Sequence, residues 1–232
     1  MIRAILFDFN GVVIDDEPLQ QKAYQQVLQP EGIALTEGEY FDCLGMDDVA
    51  FVRAAFARAG REVEDEQLRR VIEGKTEQHR ELIKDELPLF PGVVTFIKAC
   101  ARQWPLAIAS MARRVEIDHV LERAGLSQVF AAIVSAEDVQ ACKPDPACCL
   151  RALELLNEKA RGANTSSLAA AECLVIEDSP PGVEAARAAG MRSLGVTNTV
   201  AEERLRAAGA DVVTHSLADW TPDAVYHVFG KR

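Results

Sequence analysis

The chain is expected to fold as an α/β protein: a doubly wound, Rossmann-like parallel sheet with an all-helical domain inserted after its first strand. Three observations lead there. From residue 89 onward, short apolar runs alternate with helical patterns, the βαβα order that builds a parallel sheet. Two apolar runs, Ala4-Ile5-Leu6-Phe7 and Cys173-Leu174-Val175-Ile176, end in carboxylates, Asp8 and Glu177-Asp178. Buried parallel strands that deliver charge to the C-terminal edge of a sheet read this way, and that edge is where open α/β sheets bind ligands. By contrast, residues 16–88 carry helical spacing only.

Taken in order, residues 4–7 give the first strand, and residues 19–28, 48–59 and 66–87 give helices with no strand run among them. Pro91-Gly92 marks the return to the sheet, because proline suits the start of the helix expected over 93–102. Strands are then expected at 106–109, 131–134, 173–176, 193–196 and 211–213, with a helix starting near Pro180. The low-complexity stretch 162–167 reads as a surface loop. The expected division is a core of residues 1–15 and 89–232 and a helical insert of residues 16–88.

A chain of 232 residues, 49% apolar and 26% charged, can bury one large core and a small second one. Its net charge of -11 argues against nucleic acid, which calls for clustered Lys and Arg. Six cysteines without C-x-x-C spacing point to reduced thiols rather than a zinc site or disulfide framework. No run reaches the roughly 18 apolar residues of a membrane span. The first strand starts too close to Met1 for a secretion signal, so a cytoplasmic location is expected. A monomer or weak dimer is the expected state.

Four motifs carry chemistry: Asp8-Phe9-Asn10-Gly11-Val12-Val13-Ile14-Asp15-Asp16-Glu17, Ser110 after Ala107-Ile108-Ala109, Lys143-Pro144-Asp145-Pro146, and Val175-Ile176-Glu177-Asp178-Ser179. Taken singly, Asp8 could cap a turn, Lys143 could be a solvated loop lysine and Ser110 could end a strand. In this order, and together, they resemble the haloacid-dehalogenase-like hydrolase superfamily, in the branch of phosphoglycolate phosphatases and β-phosphoglucomutases with a helical cap. The resemblance covers nearly the whole chain, including the Pro91-Gly92-Val93 re-entry.

That resemblance implies hydrolysis of a small phosphorylated metabolite with Mg2+ as cofactor. Asp8 would attack phosphorus and form an aspartyl-phosphate, and it would also bind the metal with Asp178 and the backbone carbonyl of Asn10. Glu177 would act on the metal through water. Ser110 and Lys143 would hold the phosphoryl oxygens, and the backbone at Phe9 and Asn10 would complete an anion cradle. Met111, beside Ser110, is a substrate-binding candidate. Lys75 matches a cap lysine that reaches substrate in relatives, and Arg113 could meet a second acidic group; the ordinary reading of both is a solvated helix surface. His79 and His119 receive no role.

One position departs from the family. Its phosphatases and phosphomutases carry a general acid/base Asp two residues after the nucleophile, and here that residue is Asn10. An amide neither gives nor takes a proton at neutral pH, and losing such a group typically costs about a hundred- to ten-thousandfold in rate. Three readings stay open. The chain could be a phosphatase that uses good leaving groups or a stand-in carboxylate from Asp15, Asp16 or Glu17. It could perform other chemistry, as dehalogenases do, or it could bind a phosphorylated metabolite with little catalysis. A phosphomutase is disfavoured, since it needs the acid/base in each half-reaction and Gln20 stands where many relatives have His. Restoring Asp at position 10 is expected to raise the rate if only the proton shuttle is missing.

Overall fold

The computed structural model describes residues 1–230. Six parallel strands, β1 (Ala4–Phe7), β2 (Leu106–Ala109), β3 (Ala132–Val134), β4 (Cys173–Glu177), β5 (Arg192–Val196) and β6 (Val212–Thr214), lie in the order β3-β2-β1-β4-β5-β6. The chain winds outward from β1 in one direction and, from β4, in the other. The order therefore reverses between β1 and β4, where Phe7 pairs with both Ile108 and Ile176. Crossovers diverging from that point leave a crevice at the C-terminal edge.

Strand alternation sorts the side chains into two layers. Ile5 and Phe7 face one side with Leu106, Ile108, Leu174 and Ile176, under helices α5 (Val93–Cys100), α6 (Arg114–Arg123) and α10 (Pro222–Phe229). Phe7 packs edge-on to Phe96 and Phe130, with ring centroids 6.2 and 5.9 Å away. Ala4, Leu6, Ala107 and Ala109 face the other side. There, small residues of α7 (Ala147–Gly162) and α8 (Pro180–Ala188), among them Ala152, Ala185 and Ala186, let the helices approach closely. Helix α9 (Glu202–Ala208) closes the β5–β6 end.

Between β1 and α5 the chain forms four helices, α1 (Glu17–Leu28), α2 (Glu37–Phe41), α3 (Asp48–Arg58) and α4 (Asp65–Leu82). They enclose a third core around Tyr24, Phe51 and Phe56, with Tyr24 stacked on Phe51 at 3.8 Å. Helix α2 falls where no helix was expected. Its signal is the capping box of Thr36 and Glu39, each accepting the other's backbone N–H. Helix α4 ends at Leu82 rather than running on to residue 87. The carbonyl of Pro88 accepts from Asp15 N–H at 2.7 Å and Leu89 bridges Ile14, so the chain must already be extended there; a residue preceding proline resists helix as well.

The insert and the core meet tightly at Gly45. Its φ of +86° is a left-handed conformation, and a Cβ there would lie 2.8 Å from Pro181 and 3.2 Å from Lys143. In the core, Gly182 occupies the first turn of α8, where an added Cβ would fall 1.9 Å from the buried Glu177 carboxylate. Helix and strand can approach this closely only without a side chain. Gly182→Ala should therefore cost about 1–3 kcal/mol by overpacking, lowering the thermal midpoint by several degrees. A melting temperature unchanged from the parent protein would show that the carboxylate has room to move aside.

Candidate active site

Parallel strands end together, and so do the residues that follow them. Asp8 succeeds β1, Ser110 succeeds β2, and Glu177-Asp178 close β4. The N–H of Asp8 donates to Ile176 O at 3.0 Å and that of Ser110 to Val134 O at 3.1 Å, so both remain pinned to neighbouring strands one residue past their own. Lys143 arrives on the loop before α7. One carboxylate oxygen from each of Asp8, Glu177 and Asp178 can be chosen so that all lie within 4.8 Å of one another. Into this cluster Lys143 Nζ inserts, 3.0 Å from Asp8 Oδ1 and paired also with Glu177 Oε1. The other Glu177 oxygen accepts from the N–H of Asp178 at 3.2 Å and of Ser179 at 3.4 Å, and from the Ser179 hydroxyl at 3.1 Å.

Two carboxylates, Asp8 and Glu177, thus share one ammonium, with Asp178 crowded beside them. Burial, reinforced by the Asp8 charge and opposed by Lys143, pushes Glu177 up to about 7. Burial and the charges of Glu177 and Asp8 push Asp178 well above its ordinary range. Burial opposes the charge on Lys143, but Asp8 and Glu177 outweigh it and hold its ammonium well above the usual lysine value. An all-oxygen donor set with surplus negative charge fits a hard divalent cation such as Mg2+, whose charge would relieve the crowding. Asn198 Nδ2 donates to Gly11 O at 2.7 Å, so the loop after β5 braces the loop that follows Asp8.

Asn10 lines the same cavity, and its side chain is committed. Its Nδ2 donates to both oxygens of Asp16, at 3.0 and 2.9 Å. Asp16 is fully buried and is also bonded by Gln20 Nε2 at 3.0 Å and His79 Nε2 at 2.8 Å. Asp16 is therefore the centre of a network joining the loop after β1 to α1 and α4. His79, which received no role from its helical spacing, is a buried member of it. Of the three acidic residues that could stand in for the missing general acid, Asp15 is exposed, Asp16 is enclosed, and Glu17 lines the cavity. The Tyr40 hydroxyl holds Glu17 at 2.6 Å, and burial together with Asp16 and Asp8 raises its carboxyl to about 7.

The insert supplies the opposite wall. Lys75, 3% exposed, contacts Asp48 of α3 at 3.1 Å and both oxygens of Glu116 of α6 at 3.1 Å. Thr76 donates to Glu116 at 2.8 Å and receives Arg113 at 3.0 Å. Lys75 does line the cavity, but as the middle of a buried ion-pair network, not as a free cation. Arg113 is not among the residues that line this cavity; its guanidinium donates to Thr76 and lies 3.8 Å from Glu137. Phe9 is wholly buried in the core, so only its backbone could face an anion. Asp8, Asn10, Ser110, Met111, Lys143 and Asp178 are brought together around the cavity.

Comparison with known proteins agrees with this geometry. The family model of haloacid dehalogenase-like hydrolases matches residues 2–190. Hexitol phosphatase B of Escherichia coli K12 is 31% identical over 222 residues, covering 95% of both chains. The chloroplastic protein Suppressor of quenching 1 of Arabidopsis thaliana is 32% identical over 94% of this chain, which spans only 20% of that much longer protein. Among solved structures, β-phosphoglucomutase from Clostridium difficile superimposes with a TM-score of 0.82 at 22% identity, covering 99% of this chain and 98% of that one, a likeness of fold.

The Asn10–Asp16 contact changes what Asn10→Asp would do. It would set a second carboxylate about 3 Å from the buried Asp16, where both cannot ionise freely. The pair would bind a proton more tightly folded than unfolded. Relative to the parent, stability should fall as pH rises above about 4, by up to about 1.4 kcal/mol per pH unit until the raised folded value is passed. Denaturant melts at pH 5 and pH 8 measure this. A deficit that does not grow with pH would contradict the contact.

Proposed function

The chain belongs to the haloacid dehalogenase-like hydrolases and is a phosphatase of that family; we propose that it is a magnesium-dependent hydrolase of small phosphorylated sugars and polyols that works through an aspartyl-phosphate on Asp8. The observation that carries this is the buried cluster of Asp8, Glu177 and Asp178 around Lys143. The name of the hexitol phosphatase relative supports the substrate class. The helical insert acts as a cap over the cavity.

In this reading a carboxylate oxygen of Asp8 attacks phosphorus, and the bond to the leaving oxygen breaks. Lys143 offsets the repulsion between Asp8 and the incoming phosphoryl oxygens, and the Ser110 hydroxyl donates to one of them. Asp8 and Asp178, with the Asn10 carbonyl, would hold Mg2+, and Glu177 would be positioned to orient its water. Bound there, the cation supplies charge neutralisation to the transferring phosphoryl group. Proton transfer falls to Glu17: its carboxyl gives a proton to the leaving oxygen and takes one from the water that hydrolyses the Asp8 ester. Asn10 cannot do this, and its amide instead fixes Asp16.

Hydrolysis of p-nitrophenyl phosphate, acetyl phosphate and a hexitol phosphate, with and without magnesium, tests the proposal. Turnover should require the metal and fall roughly a thousandfold or more in Asp8→Asn. Glu17→Gln should slow the hexitol ester about a hundredfold and the esters with good leaving groups much less. Turnover that survives Asp8→Asn would refute the mechanism. No turnover on any ester, with magnesium still bound, would favour a binding protein.

A further inference from the structure

The ring of Tyr40 and its hydroxyl answer to different needs. The ring is held in the insert's core, edge-on to Phe41 with centroids 5.6 Å apart and tilted against Phe51 at 5.8 Å, on a helix whose start is fixed by the capping box of Thr36 and Glu39. Phenylalanine would meet that packing equally well. The hydroxyl instead leaves the apolar cluster and donates to Glu17 Oε2 at 2.6 Å, and both residues line the cavity that holds Asp8. Burial and the Glu17 charge keep this phenol well above its ordinary value, so it retains its proton at neutral pH.

The bond fixes which oxygen of Glu17 carries a proton. Among the described residues, Tyr40 is the only hydrogen-bond partner of that carboxyl, and Glu17 is the only acceptor for the Tyr40 hydroxyl. Were the acid's proton on Oε2, the phenol would have to accept it and turn its own O–H away from its one acceptor, at a residue only 7% exposed. The proton therefore belongs on Oε1. That oxygen has no protein partner and stays open to water, Glu17 being only half-buried. Resting on the assignment of Glu17 as acid and base in the phosphatase reading above, we infer that Tyr40 is the residue that positions it: the phenol holds Oε2 and confines the transferable proton to Oε1, the open oxygen. As the bond between phosphorus and the leaving oxygen breaks, the Oε1–H bond breaks and its proton passes to that oxygen, giving a free alcohol and leaving Glu17 as a carboxylate. When water then attacks the Asp8 ester, its O–H bond breaks toward Oε1 while the new oxygen–phosphorus bond forms and the bond to Asp8 is released, so phosphate departs and Glu17 is an acid again. Tyr40 keeps its own proton through both steps. Without the phenol, the proton is shared between two oxygens of a carboxyl free to rotate, which lowers the fraction of the acid aimed at the leaving oxygen.

Steady-state hydrolysis of a hexitol monophosphate and of p-nitrophenyl phosphate with magnesium, by Tyr40→Phe, Glu17→Gln and the double variant, tests this. A hexitol leaving group needs a proton and p-nitrophenolate barely does, so the ratio of the two kcat/KM values reads the acid rather than the fold. Tyr40→Phe should lower that ratio about tenfold, through kcat for the hexitol ester, with KM within about twofold of the parent. In the Glu17→Gln background the same substitution should change the ratio by less than about twofold, because no proton is left to place. An equal loss on both esters, or a ratio unchanged by Tyr40→Phe, would overturn the inference. So would an undiminished effect of Tyr40→Phe in the Glu17→Gln protein. Failure of the underlying reading looks different: Glu17→Gln by itself would then leave the ratio where it was, and the inference falls with it.

Discussion

Three crowded carboxylates, Glu177 and Asp178 buried and Asp8 partly so, with one lysine paired to two of them, are the constraint from which most of this structure can be read. Like charges gathered away from water repel, and nothing in an apolar core would bring Asp8, Glu177 and Asp178 within 4.8 Å unless the backbone left them no alternative. The parallel sheet does so: β1 and β4 are paired in register, Asp8 is hydrogen-bonded to Ile176, and both strands end at the reversal of strand order. Two apolar layers hold the sheet and supply the stability against which this repulsion acts. Lys143, the Ser179 cap and the bare Gly182 then follow as local answers to the same crowding.

The insert is fixed by a second group of buried charges. Lys75 joins α3, α4 and α6, and Asp16 joins Asn10, α1 and α4. Buried ion pairs contribute little net stability against an apolar packing of the same shape, whereas removing one partner is severe. Here they bind the insert to the core in one position and leave its inner wall lined with oriented oxygens. In that setting Asn10 supplies an uncharged donor to a carboxylate that an Asp at the same place would repel.

The sheet and its catalytic edge were legible because their signals are local. A four-residue apolar run ending in Asp, and another ending in Glu-Asp, need no partner to be recognised, and the positions expected for the strands differ from those found by a residue or so. Helices α1, α3 and α4 of the insert were legible from periodicity, but the short α2 was not, and the early end of α4 depends on the pairing of residues 14–15 with 88–89, which no helical pattern contains. The Asn10–Asp16–His79 and Lys75–Glu116 contacts join residues up to 63 positions apart. Lysine and histidine at helical spacing look the same on a solvated face as at a buried interface, so Lys75 read equally as a solvated lysine or a substrate contact, and His79 received no role. For Arg113, nearness to Ser110 in sequence does not fix the direction of a long side chain, which here turns to Thr76 and Glu137.

The central claim is that the substrate's phosphoryl group passes through Asp8. Rapid acid quench of the protein during turnover of acetyl phosphate with magnesium, followed by peptide mass spectrometry, tests it most directly. The account predicts one phosphoryl group on the peptide that contains Asp8, removed by hydroxylamine as an acyl phosphate must be. Steady turnover with no phosphoryl group on the protein, or with the group on another residue, would contradict it.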